Sequence, residues 1–328
     1  MIIVTGATGF IGSAFVWELN KHGLTDIICV DLESSELKLK NLKKRKYKEF
    51  IEKNELLKKL EKPEFKKNVE WIIHMGANSS TTATDRDAVM ETNFHYTQKL
   101  FDWCAANQKH FIYASSGATY GDGSRGYDDH TSAFELKALN LYGESKVLFD
   151  QYFEKQMRDN KKLPATCYGL KFFNVYGPHE YHKEDMASVV FKAYHQIKDK
   201  GSLQLFKSHN PKYKDGEQMR DFVYVKDIIS WMYQLMSKKG NHGIFNMGYG
   251  QARTWLDLAS NTFKNMHKPM KIDWIEIPQN LRDKYQYYTE AKMDKLMSLN
   301  LSKPQWPLEK GVADYVQNYL MQEDPYLS

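Results

Sequence analysis

The sequence predicts an α/β fold, a doubly wound parallel sheet with a smaller C-terminal α/β part, and three observations carry that expectation. The first thirteen residues, Met1-Ile-Ile-Val-Thr-Gly-Ala-Thr-Gly-Phe-Ile-Gly-Ser13, run from an apolar stretch into Gly6-x-x-Gly9-x-x-Gly12 and then into an amphipathic segment, the order strand, tight turn, helix. Further short apolar runs at Asp26–Asp31, Val69–Met75, His110–Ser116 and Ala165–Asn174 alternate with helical patterns, as parallel strands with helical crossovers require. Each run also ends in small or polar residues, so Gly6, Asp31, Gly76 and Ser116 converge beyond the carboxyl ends of the strands, where open α/β sheets bind ligands.

The elements follow in order. Phe10 to Leu19 place apolar residues at helical spacing, and His22-Gly23 closes that helix. Glycines at positions 6, 9 and 12 allow main chain to approach a pyrophosphate, and the helix start offers free N–H groups and a partial positive charge, so the turn reads as a Rossmann-like dinucleotide site. Its spacing is one residue longer than the GxGxxG fingerprint. Asp31, about 20 residues further on, can accept hydrogen bonds from the adenosine ribose, which favours NAD. Lys38 and Lys53 speak for a 2′-phosphate and NADP, or are surface charges. Met75-Gly-Ala-Asn-Ser79 is a turn suited to lie beside the cofactor, His74 is a packed or turn histidine, and one long helix is expected from about Arg86 to Ala106.

From about Asn140 a helix begins with Tyr142-Gly-Glu-Ser-Lys146, whose spacing puts phenol and ammonium on one face. A neighbouring ammonium and a positive nicotinamide ring favour the phenolate, which makes Tyr142 a base, with Ser116 hydrogen-bonded to a substrate hydroxyl and Lys146 on the nicotinamide ribose. Asn174-Val-Tyr-Gly-Pro178 is a loop at the same sheet edge. The composition then shifts, and the expected division is a dinucleotide-binding part over 1–174 and a mainly substrate-binding part over 175–328, with some C-terminal segments returning to the first. Arg220 suits a diphosphate, against the alternative of a salt bridge to Asp221 or Asp227. Helices are expected over Asp227–Met236 and Leu308–Met321.

With 328 residues, 42% apolar and 14% aromatic, the chain can bury a sizeable core. A net charge of +5 is mild, and the basic run Lys38 to Lys48, with no nucleic-acid motif beside it, reads mainly as a solvated helix face, against the alternative of a phosphate-binding role. Cys29, Cys104 and Cys167 lack metal-ligand or CxxC spacing, which disfavours a disulfide framework and a structural metal. A strand starting at Met1 and no apolar stretch of membrane length point to a cytoplasmic protein without a membrane partner.

The motifs VTGATGFIGS, HMGANSST, YASSGATYG, LYGESK, FFNVYGPHE, HKEDMASV and RDFVYVKD, in this order, resemble the extended short-chain dehydrogenase/reductases that act on nucleotide sugars, over nearly the whole chain. Ser79 to Thr82, HKEDMASV and RDKYQYYTEA (282–291) are most similar to the branch that epimerises ADP-heptose. That resemblance implies NADP held by Gly6, Gly9, Phe10, Ile11, Gly12, Asp31, Leu32, Lys38, Lys53, Met75, Gly76, Ala77, Asn78, Ser79, Thr92, Asn93, Lys146, Val175 and Lys183. It implies Tyr142 with Lys146 and Ser116 at the reacting centre, and Lys183 as a second proton acceptor. Substrate contacts are implied for Asn174, Asp185, Lys192, Arg220, Tyr285 and the stretch Phe206, Lys207, Ser208 and His209, and the assembly implied is a homo-oligomer such as a pentamer. Thr92 stands where the pattern has asparagine, Asp185 where it has serine and Lys192 where it has histidine. The rivals are a UDP-hexose 4-epimerase and a non-catalytic dinucleotide sensor; a 4,6-dehydratase is disfavoured because Gly117-Ala118, not Asp-Glu, follows Ser116.

Overall fold

The computed structural model describes residues 1–32, 35–282 and 285–328. Twelve strands are present among them: β1 Ile2–Thr5, β2 Ile27–Asp31, β3 Glu49–Glu52, β4 Trp71–His74, β5 His110–Ser116, β6 Thr166–Phe172, β7 Asn174–Tyr176, β8 Leu203–Phe206, β9 Met219–Tyr224, β10 His242–Met247, β11 Ala252–Thr254 and β12 Ile272–Ile275. Seven form one parallel sheet in the order β10-β6-β5-β4-β1-β2-β3. The order reverses between β1 and β4, so a crevice opens beyond their carboxyl ends, at Thr5 and His74.

Both faces of this sheet are covered, which is why its inner strands read as largely apolar runs, while the edge strands β3 and β10, with polar residues, gave no such signal in the sequence. On one face Ala14, Phe15 and Leu19 of the helix Phe10–Lys21 pack with Ile228, Trp231 and Met232 of the helix Val225–Met236. On the other, Leu100 and Phe101 pack with Phe149 and Phe153 of the helix Leu141–Arg158. β10 and the helix Val225–Met236 thus come back from the C-terminal half to complete the large sheet and its cover. The remainder builds two small sheets, β11-β9-β7 and β12-β8, under the helices Val189–Lys200, Trp255–Asn265 and Leu308–Tyr315. All three cysteines are buried free thiols.

Several expectations need correction. The long helix is regular over Arg86–Met90 and Tyr96–Asn107 but widens into a π turn over Glu91–His95. The last helix likewise ends in a π turn, Val316–Leu320. Propensity does not report such bulges, because they answer to what the side chains grip. The basic run is not a helix face: only Glu36–Lys40 is helical, and the chain then folds inward to bury Asn41 and Leu42. Asn174 opens a short strand rather than a loop.

One polar feature lies inside this apolar frame. The Asp150 carboxylate, fully buried on the helix Leu141–Arg158, accepts from Tyr113 Oη and Ser115 Oγ and pairs with Lys171 Nζ, each at 2.8 Å. Lys171 donates also to Thr119 Oγ1 at 2.7 Å, so each charge is compensated and hydrogen-bonded, as burial demands. Breaking such a pair from one side is expensive. Asp150→Asn is expected to lower stability by about 3–5 kcal/mol in urea unfolding, and the double variant with Lys171→Met to lose clearly less; equal losses would contradict a coupled pair.

Candidate functional site

The crevice is built from main chain first. Gly6 has φ of +65°, and a Cβ there would stand 2.6 Å from the Gly76 nitrogen, so the turn after β1 and the end of β4 meet backbone to backbone. A Cβ on Gly12 would overlap the Gly6 carbonyl oxygen. The helix Phe10–Lys21 then starts from Gly9 with no side-chain cap and no acid in its first turn. Its first N–H groups and the positive end of its dipole are left for an anion.

A cleft of 480 Å³ lies over this turn. It is lined by the expected Gly6, Gly9, Phe10, Ile11, Gly12, Asp31, Lys38, Met75, Gly76, Ala77, Asn78, Ser79, Ser116, Tyr142, Lys146, Val175 and Lys183, and also by His182 and Met186 of the HKEDMASV stretch, to which the sequence reading gave no role. Asp31 is held in place: Oδ2 accepts from Thr8 N at 2.9 Å and Thr8 Oγ1 at 2.6 Å, and Oδ1 accepts from Leu32 N at 2.9 Å. Leu32, Lys53, Thr92 and Asn93 do not line the cleft. Leu32 is exposed, and the Lys53 ammonium lies 4.8 Å from the centre of the Tyr96 ring. Thr92 and Asn93 sit in the π turn. There the buried Asn93 amide accepts from Asn78 N at 2.8 Å and donates to Asn78 O at 2.9 Å and Ser145 Oγ at 3.0 Å. The bulge thereby ties the loop after β4 to the helix that carries Tyr142.

A second cleft, of 1110 Å³, opens on the far side toward Thr81, Thr82, Asn174, Gln286 and Thr289. Ser116, Tyr142 and Lys183 line both clefts, together with Ser79, Phe172, Phe173, Val175 and Met186. A hydroxyl, a phenol and an amine from three distant stretches of sequence therefore stand on one shared wall. Asn140 caps the tyrosine helix by accepting from Gly143 N at 2.8 Å.

The charges on this wall are shaped by burial. Burial pushes the Tyr142 phenol up, and its hydrogen bond with Ser116 pulls the other way. Asp150 adds to the rise, and in the protein alone the expected lowering by Lys146 is not seen. Lys146, 3% exposed, is brought down to about 8 by burial, with Asp150 partly opposing. Burial also lowers the Lys183 ammonium, offset in part by Glu180; its Nζ is 5.5 Å from the centre of the Phe10 ring. His74 is packed as expected, between Thr5 and Thr97.

The expected C-terminal residues divide into groups. Arg220, 8% exposed, has its guanidinium 5.3 Å from the Tyr285 ring centre and 5.7 Å from that of Trp255, and donates to Met219 O. Neither expected salt bridge forms, because Asp221 accepts from the main chain of Tyr249, Gly250 and Ala291 and Asp227 from that of Gln305 and Trp306. Among the described residues no carboxylate pairs with Arg220, so its charge is buried beside aromatic faces. Phe206 packs edge-on against Tyr285, while Lys207 and His209 reach Glu276 at 3.0 and 2.9 Å, and Ser208 N donates to Asp215. Asp185 and Lys192 line neither cleft, and neither do Arg220, Tyr285 and Phe206 to His209; the Lys192 ammonium donates to Asp185 O. Asp283 and Lys284 of the RDKYQYYTEA stretch lie outside the described residues. Asp150 and Lys171 were not anticipated, although Asp150 continues the stripe of Tyr142 and Lys146 at steps of four.

Known proteins match this arrangement. The NAD dependent epimerase/dehydratase family matches residues 2–248. The chain is 49% identical over 336 residues to the ADP-L-glycero-D-manno-heptose-6-epimerase of Fusobacterium nucleatum and 46% identical over 328 residues to the one of Nitratidesulfovibrio vulgaris, with 100% of each chain covered in both cases. The crystal structure of the Helicobacter pylori ADP-L-glycero-D-manno-heptose-6-epimerase has a TM-score of 0.80 at 29% identity, covering 97% of this chain and 95% of that one. The chain belongs to the NAD dependent epimerase/dehydratase family, in the branch of the heptose epimerases.

Proposed function

We propose that the chain epimerises C6″ of ADP-D-glycero-D-manno-heptose to ADP-L-glycero-D-manno-heptose, with NADP bound in the smaller cleft and the sugar in the larger. The observation that carries the chemistry is the shared wall of Ser116, Tyr142 and Lys183 between the clefts. The choice of sugar rests on the full-length relatives of that name. A carbon bearing a hydroxyl has no acidic C–H bond, so simple proton removal cannot invert it. When bound, a nicotinamide dinucleotide takes a hydride from that carbon and returns it, with a ketone in between.

The residues present suit that cofactor. The glycine turn leaves no side chain between the helix N-terminus and a pyrophosphate, and Lys146 is a buried ammonium beside the reacting centre. Lys38 lines the same cleft as Asp31, and its ammonium supports the 2′-phosphate of NADP over the bare ribose of NAD. Tyr142 or Lys183 takes the proton of the C6″ hydroxyl while Ser116 orients it. After the sugar end turns over, its oxygen faces away from the first base, and the other group returns the proton. Burial of Lys183 supports this role, because an ammonium lowered toward neutrality gives and takes protons more readily. Arg220, buried with no carboxylate partner among the described residues, offers its planar fork to the diphosphate. The assembly proposed is a homo-oligomer.

Tyr142→Phe and Lys183→Met are each expected to lower turnover by at least ~100-fold, the lower end for a lost acid or base; near wild-type rates in both would remove the two-base scheme. Offered ADP-D-glycero-D-manno-heptose and UDP-glucose side by side, the enzyme should epimerise the first, followed by NMR; conversion of UDP-glucose alone would overturn the assignment. Because Lys146 holds the ribose as an ammonium and loses its proton near 8, dinucleotide affinity should be level at lower pH and weaken above about 8. Lys146→Met should bind weakly and without that slope in a fluorescence titration.

A further inference from the structure

The loop that carries Lys183 is fastened to the glycine turn by a residue with no part in the chemistry. His179 is fully buried and has φ of +82°, a conformation that a histidine keeps only where its surroundings impose it. Its Nδ1 is 2.8 Å from Ser13 Oγ. The Ser13 hydroxyl donates to Gly9 O at 2.6 Å, which spends its proton inside the turn. His179 Nδ1 must therefore be the donor, and Nε2, left unprotonated, accepts from Leu327 N at 3.1 Å. Both ring nitrogens are used by a neutral imidazole of one tautomer, in keeping with burial having lowered it to about 3.

A second tie runs alongside. The Asn41 amide, also buried, donates to Thr8 O at 2.9 Å and to His179 O at 3.1 Å. Four residues beyond His179, the Lys183 ammonium reaches Phe10, the first residue of the helix that starts at the turn. The outer side of the loop is held by residues 324–328: Tyr181 Oη donates to Pro325 O, and Leu327 is buried in the main core.

We propose that His179 is a positioning residue: its bond to Ser13 makes the glycine turn and the Lys183 loop one unit, so that holding the dinucleotide and placing Lys183 are coupled. This rests on the reading that the turn holds the dinucleotide and Lys183 moves a proton. The test is a double-mutant cycle with Ser13→Ala, His179→Ala and their combination, each confirmed as folded by circular dichroism. NADP affinity is read by fluorescence titration, and kcat at saturating NADP by epimer formation. Each single variant is expected to weaken NADP binding and to lower kcat by about tenfold, the worth of one such bond, with the double variant no worse than either. His179→Asn, which keeps a donor for Ser13 and tolerates positive φ, should recover most of both. Folded variants with wild-type affinity and kcat, or losses that multiply in the double variant, overturn the coupling. Should His179→Ala not fold, Ser13→Ala, which removes one oxygen, carries the test with the same outcomes. If wild type itself binds no dinucleotide, the functional reading fails and the coupling with it; if wild type binds and the variants do not differ, the coupling alone fails.

Discussion

The site depends on one close approach of main chain to main chain. At Gly6 the turn after β1 leaves no room for a side chain beside Gly76, and at Gly12 the following helix leaves none beside the Gly6 carbonyl. That contact holds the helix N-terminus against the sheet at the place where strand order reverses. A methyl group at either position would push the helix away, and with it the N–H groups that an anion needs. The loops after β4 and around His179 are then built onto this fixed point, through Asn93 to the tyrosine helix and through Ser13 to the lysine loop.

Around that point the fold keeps several charges out of water. Lys146 and Lys171 are both buried, and the Asp150 carboxylate is already occupied by Lys171 and two hydroxyls. Lys146 is thus left without a full counter-charge, which is why burial dominates it. Arg220, outside the lining of both clefts, has no acid partner among the described residues and is buried among aromatic rings. Uncompensated buried cations are destabilising by themselves. They make sense as half of an interaction whose other half is the anionic ligand of the proposed function.

Five strands of the large sheet, β1, β2, β4, β5 and β6, were legible in the sequence because they are buried and read as apolar runs, whereas the edge strands β3 and β10 carry polar residues and were not anticipated. Gly6, Gly9 and Gly12 announced the turn, and Tyr142 with Lys146 could be placed on one helix face from their spacing alone. The basic run at Lys38 to Lys48 misled, since local composition does not reveal that Asn41 and Leu42 turn inward to meet other segments. The π turn at Glu91–His95 was equally hidden: its residues are ordinary helix formers, and the widening exists so that Asn93 can grip Asn78 and Ser145. For Arg220 the nearest acids in sequence were natural partners, yet both are consumed by backbone donors from distant loops.

What the sequence by itself determined is whatever follows from neighbours along the chain: apolar runs that must be covered, glycines where no Cβ fits, and a phenol and an amine one helical turn apart. Only the tertiary structure decided that Lys183 stands with Tyr142 and Ser116 on the wall between two clefts, that Asp150 answers Lys171, and that His179 bonds Ser13. The reason is physical. A side chain's spacing on its own element is set by backbone geometry, whereas its partners across the fold are set by which buried polar groups remain to be satisfied once every element has packed.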